Sequence, residues 1–122
     1  MILVDTSVWV DHIRGRTTPL DDLLGDAQIA MHPFVLGELL LNGLPKRGGF
    51  SIEAFAKYAK APLASATEVS GFILSANLAG TGLGYVDVHL LVSARLMVGG
   101  TLLTFDKDLL VQAERFEIAH TS

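Results

Sequence analysis

Met1-Ile2-Leu3-Val4-Asp5-Thr6-Ser7 opens the chain with an apolar run cut off by an acid and two hydroxyls. Ile2, Leu3 and Val4 are apolar without alternation, the pattern of a strand covered on both faces. Strands of that kind belong to parallel sheets with helices on either side. Residues 1–5 are therefore expected to form a buried strand that carries Asp5 to the edge of a sheet.

Working outward, short apolar strands alternate with helical patterns. Thr6 to Ile13 predicts a short helix ended by Arg14-Gly15-Arg16, and Pro19 opens a second, Leu20 to Leu24, closed by Gly25. Gln28 to Met31 predicts a strand. Pro33 suits the first position of a nearly all-apolar helix that stops near Gly43 and Pro45. Ser51 is expected to cap a helix over residues 52–60, followed by a third strand, Leu63 to Ala66. Thr67 is expected to cap a helix from Glu68 to Ala79. Gly80-Thr81-Gly82-Leu83-Gly84 reads as a turn or hinge, since it lacks the Lys-Ser/Thr of a phosphate-binding loop. Tyr85 to Val98 predicts a helix, Thr101 to Phe105 a strand, Lys107 to Glu114 a helix, and Phe116 to Ala119 a final edge strand. Alternation of this kind predicts a three-layer α/β/α sandwich around a central parallel sheet of four or five strands.

The 122 residues suit one domain, 1–122, with one core. Half of them are hydrophobic, too many for a disordered chain and enough to leave apolar surface for a partner. With no cysteine, disulfides and thiolate metal sites are excluded, so any metal must take oxygen or imidazole ligands. Asp5 interrupts the first apolar run and no basic start precedes it, unlike a signal peptide. No apolar stretch approaches the ~20 residues that span a bilayer. The expected location is the cytoplasm, with no membrane partner. The net charge of −4 argues mildly against nucleic acid as a partner, which leaves local charge to decide.

Three further acids share the setting of Asp5: Glu38, Asp87 and Asp106 each interrupt or bound an apolar element. Asp106 follows a strand as Asp5 does, so parallel strands would bring both to the edge where α/β sheets bind ligands. Each acid also has an ordinary structural reading. Asp5 and Asp106 could cap the helices after them, and Asp87 could sit favourably at a helix N-terminus. Glu38 is harder to dismiss, because a lone acid on an apolar helix is costly to bury without a partner. Four clustered carboxylates repel one another and call for a cation, and hard oxygen ligands select Mg2+ or Mn2+. Asp5 and Asp87 are the expected direct metal ligands, and Glu38 and Asp106 would hold metal waters or orient the nucleophile.

Four segments carry a resemblance: ILVDTSVWVDHIR around Asp5, HPFVLGELLLNGL around Glu38, GLGYVDVHLLVSARL around Asp87 and TLLTFDKDL around Asp106. In this order and spacing the chain resembles the PIN-domain ribonucleases of the VapC toxin family. The resemblance implies a catalytic acidic set of Asp5, Glu38, Asp87 and Asp106, supported by Thr6 or Ser7 and by Thr104. Asp108 is a second candidate for the role given to Asp106. It also implies a Mg2+-dependent endoribonuclease toxin that cuts structured RNA such as tRNA or rRNA, is blocked by a cognate antitoxin, and forms a homodimer.

Basic residues are ordinarily solvated surface, yet an acidic site acting on RNA needs a cationic rim. Arg14, Arg16, Lys46 and Arg47 are expected to supply it. His12, His32, His89 and His120 show no paired zinc-ligand spacing, and His89 and Trp9 read as packed residues. Two other functions compete. A catalytically silent RNA- or protein-binding module would have no reason to keep acids that repel RNA. A phosphatase would need a second Asp at position 7, where Ser stands; a receiver-like domain would need paired acids near the first strand.

Overall fold

The computed structural model describes residues 1–25, 28–43 and 50–121. Along them run β1 (Ile2–Val4), α1 (Thr6–Ile13), α2 (Leu20–Leu23), β2 (Ile29–Met31), α3 (Pro33–Asn42), α4 (Ile52–Phe55), β3 (Ala59–Lys60), α5 (Ala66–Ser75), α6 (Tyr85–Leu96), β4 (Thr101–Leu103) and α7 (Lys107–Arg115). The strands are all parallel, in the order β3-β2-β1-β4. The expected α/β/α sandwich is thus what forms, with four strands in its sheet.

β1 is central because it is apolar on every face: Ile2, Leu3 and Val4 are all buried. Ile2 pairs with Ile29 on one side and Thr101 on the other, and Val4 lies opposite Leu103. From β1 the chain steps outward through β2 to β3, then returns across the sheet to β4. Right-handed crossovers then put α1 to α4 on one face and α5 and α6 on the other. The packing agrees: α1 lies against α2 and α3, while α6 lies against α5 and α7 and crosses β1 and β4.

The core joins Leu3, Val4, Val8, Trp9, Leu39, Leu90, Leu91 and Leu102. Trp9 is packed edge-on to Phe55 and against Tyr58, so the packed reading of this residue holds. A second cluster, around Val69, Leu78, Val88 and Val92, fastens α5 to α6. The α6–β4 connection leaves no room for a side chain at Gly100, where a Cβ would run into the Ala94 carbonyl oxygen.

Several boundaries differ from the sequence reading. The third strand is Ala59–Lys60, not Leu63 to Ala66, and the helix expected over 52–60 closes at Phe55. Pairing decides this: Ala59 and Lys60 lie opposite Ala30 and Met31, and the Ala61 N–H donates to the Met31 carbonyl. Beyond them Pro62 has no N–H for a ladder. Ser65, rather than Thr67, caps α5, because Ser65 and Glu68 form a reciprocal capping box. β4 stops at Leu103, where Thr104 turns toward the sheet edge, and α6 stops at Leu96. The final edge strand is reduced to a single parallel bridge between Leu102 and Ala119. No helix among the described residues is long and apolar enough to cross a membrane.

α3 is started by a buried imidazole. His32 Nδ1 accepts from the Phe34 N–H at 3.0 Å, and the ring has no solvent exposure. Burial, reinforced by the charge of His89, holds His32 down at about 4, against an ordinary 6.5. Between those values the unfolded chain takes a proton that the folded chain refuses. Stability should therefore fall as pH drops from 6.5 toward 4, by an amount on the order of 2 kcal/mol after allowance for solvent relaxation. Urea midpoints measured across that window should slope less steeply in His32→Asn, which keeps a capping acceptor but cannot take the proton.

Candidate active site

Strand order reverses between β1 and β4, so the crevice at their carboxyl ends is the switch point of the sheet. Asp5 leaves β1 into it and Asp106 stands just beyond β4. Asp5 is only 6% exposed, and as first residue before α1 its side chain makes no capping bond. Its Oδ2 instead accepts two hydroxyls, from Ser7 and from Thr104, each at 2.8 Å. Both hydroxyls are themselves anchored. The Phe105 N–H donates to Ser7 Oγ at 3.1 Å, and the Asp106 N–H donates to Thr104 Oγ1 at 3.0 Å. A continuous chain of hydrogen bonds thus ties the end of β1 to the end of β4 across one carboxylate oxygen.

Glu38 reaches the same edge from α3. It is half-buried, and its Oε1 accepts from Thr6 Oγ1 at 2.7 Å. So the two hydroxyls after Asp5 divide their work: Thr6 holds Glu38, and Ser7 holds Asp5. Asp87 enters from the first turn of α6, where its Oδ2 accepts the Gly84 N–H at 2.9 Å. Burial pushes the Asp87 carboxyl up, the Gly84 N–H opposes this, and the charges of Asp5, Asp106 and Glu38 raise it further. The charges of the other three acids thus reach Asp87 from the same crevice.

Asp106 also serves the backbone. Asp106 Oδ1 caps α7 through the Leu109 N–H at 2.9 Å, which leaves its second oxygen uncommitted by that bond. Asp108 turns elsewhere: its carboxylate lies against Gly82 in the loop before α6. Gly82 sits at φ +85°, so the loop depends on glycine for its backbone and for the space Asp108 takes. Among the described residues no three His, Asp or Glu side chains lie close enough together to chelate one ion.

Of the four basic residues expected to form a cationic rim, two are described. Arg14 is the cap residue at the far end of α1, two turns of helix from Asp5, and Arg16 donates to Asp11 at 2.8 Å. Lys46 and Arg47 lie outside the described residues. His89 is packed between Phe34 and Tyr85, with ring centroids 4.6 and 4.8 Å away. Sequence reasoning passed over Leu41 and Asn42, which with Thr6 and Glu38 line a cavity of about 400 Å³ beside the acids. The signal was present: they stand three and four residues after Glu38, on one helix face.

The sequence profile of the PIN domain matches residues 2–115. The chain is 40% identical to Ribonuclease VapC32 of Mycobacterium tuberculosis over 109 residues, 89% of this chain and 87% of that protein, in both the CDC 1551 and H37Rv strains. Its fold is similar to that of FitAcB from Neisseria gonorrhoeae, with a TM-score of 0.65 and 21% identity over 93% of this chain and 94% of the other. It is also similar to PAE2754 from Pyrobaculum aerophilum, with a TM-score of 0.61 and 17% identity over 91% and 78% of the two chains.

Thr104→Val keeps the shape of the buried side chain and removes both of its hydrogen bonds. It should cost roughly 1.5–3 kcal/mol in urea unfolding, since one bond goes to a buried carboxylate. Gly82→Ala forces a side chain into the left-handed region and displaces Asp108. A loss of about 1–2 kcal/mol is expected by the same measurement. An unchanged midpoint would show that the loop relaxes freely.

Proposed function

The chain belongs to the PIN-domain family, in its VapC branch, and from that membership we propose that it is a divalent-metal-dependent endoribonuclease acting as the toxin of a toxin–antitoxin pair. The observation that carries the reading is the arrangement of the acids at the carboxyl ends of β1 and β4: Asp5 held by Ser7 and Thr104, Glu38 by Thr6, Asp87 by the Gly84 N–H, and Asp106 at the start of α7. The name of the Mycobacterium tuberculosis relative supports the ribonuclease activity. The resemblance to VapC toxins supports the antitoxin partner, structured RNA such as tRNA or rRNA as substrate, a homodimer, a cytoplasmic setting and a single catalytic unit over residues 1–122.

The donor set fits a hard divalent cation. Every candidate ligand is a carboxylate, the like charges oppose one another, and no thiolate competes. Mg2+ commonly takes one or two carboxylates directly and keeps several waters, so a site without three converging side chains suits it, with Mn2+ as the alternative. Asp5 and Asp87 would hold the ion, and Glu38 and Asp106 would hold it through water. When bound, such a cation acidifies water and offsets charge developing on a phosphate. The chain's residues do the rest. Ser7 and Thr104 fix the free direction of the Asp5 carboxylate, Thr6 keeps Glu38 turned to the crevice, and the Gly84 N–H orients Asp87. Asp106, held by the start of α7, offers its second oxygen to accept a proton at the crevice.

Total RNA incubated with the protein and Mg2+ should be cut, and EDTA should abolish the cutting. Asp5→Asn, which keeps the shape and loses the charge, should slow it on the order of 100-fold or more. Cleavage retained in Asp5→Asn, or indifferent to EDTA, would defeat the mechanism. Folded wild-type protein that binds RNA without cutting it would favour the silent binding module.

A further inference from the structure

Beside Glu38 lies the cavity lined by Thr6, Glu38, Leu41 and Asn42. Its floor is continuous with the acids, since Thr6 and Glu38 share a hydrogen bond. Its outer wall is unusual for a polar crevice: the Leu41 side chain is 91% exposed, and Asn42, also exposed, ends α3 next to it. The described lining therefore combines one exposed leucine, a neutral amide, a hydroxyl and a carboxylate. A phosphate placed there would face the Glu38 charge. A nucleobase escapes that repulsion, because its ring is neutral and its exocyclic amines can donate to the carboxylate.

We infer that this cavity is a nucleobase subsite, which holds a base flanking the cleaved bond against Leu41 and reads its edge with Asn42. The inference rests on the ribonuclease reading and adds to it the groups that select the nucleotide. Single-stranded RNA is recognised through unstacked bases laid on side chains and hydrogen-bonded along their edges. Asn presents a donor and an acceptor side by side, the pairing that matches adenine. The depression, about 400 Å³ and open to solvent, leaves room for one base and its ribose.

The test uses the full chain and four RNA hairpins differing only in the base next to the cleaved bond. Cleavage is measured with Mg2+ for wild type, Leu41→Ser, Asn42→Ala and, as a control at the opposite sheet edge, Val98→Ser. A fifth RNA carries 2-aminopurine at that base, and its fluorescence is read in EDTA. Wild type should prefer one base, Asn42→Ala should flatten the preference at least 5-fold, and Leu41→Ser should raise KM about 10-fold with a smaller change in kcat. Both variants should weaken the 2-aminopurine response, and Val98→Ser should match wild type. If wild type cuts but both variants keep its preference and its KM, the subsite is overturned while the ribonuclease reading stands. If nothing is cut, the ribonuclease reading fails; the 2-aminopurine response then decides the subsite, overturned where the variants match wild type and upheld where they lose it. Variants that alter only the oligomeric state in gel filtration would assign Leu41 to a protein contact and overturn the inference.

Discussion

Asp5 and Thr104 meet because Val4 and Leu103 lie opposite one another in adjacent parallel strands. Everything at the crevice depends on that register. A shift of one residue would reverse the faces of β4 and carry Thr104 away from the carboxylate it serves. The register is fixed in turn by burial, since both strands are apolar and enclosed by helices on either side. Core packing and site geometry are therefore one constraint. The hydrophobic residues set the height at which two strands end, and the polar residues immediately beyond inherit their positions from it.

The polar residues divide into those that carry charge and those that aim it. Ser7, Thr6 and Thr104 are neutral donors, and the Gly84 N–H adds a fourth. Each is spent on a different acid or a different direction of approach. Such donors favour carboxylates in their ionised form and fix their rotamers, without adding a positive charge that would compete with a cation. The design also explains how Asp106 and Asp87 can act as structural caps and still face the crevice. A carboxylate has two oxygens, and the helix end engages only one of them.

What the sequence disclosed follows the range of each interaction. That Asp5 and Asp106 share an edge was legible, because both directly follow apolar strands and parallel strands end together. The contact between Thr6 and Glu38, 32 residues apart, was not, since it depends on how α1 packs against α3. β3 escaped because two residues are too few to show a period, and only their pairing with β2 defines them. The Ser65-Glu68 box, by contrast, was readable from its spacing, and Thr67 merely stood between. The place of Arg14 at the end of α1 follows from helix direction. A helix that leaves the carboxyl edge of a sheet runs back toward the other edge, so its last residues are those farthest from the acid that precedes it.

The outermost strands bear on how the sheet meets other chains. β3 exposes only Ala59 and Lys60 to a newcomer, with Pro62 close behind. At the other margin the Leu102 N–H already donates to Ile118, and His120 donates back to Leu102. Among the described residues, neither margin offers a long row of vacant amides on which another chain could template itself. In a chain that is half hydrophobic by composition, the brevity of one border and the closure of the other leave little template for cross-β pairing among the described residues.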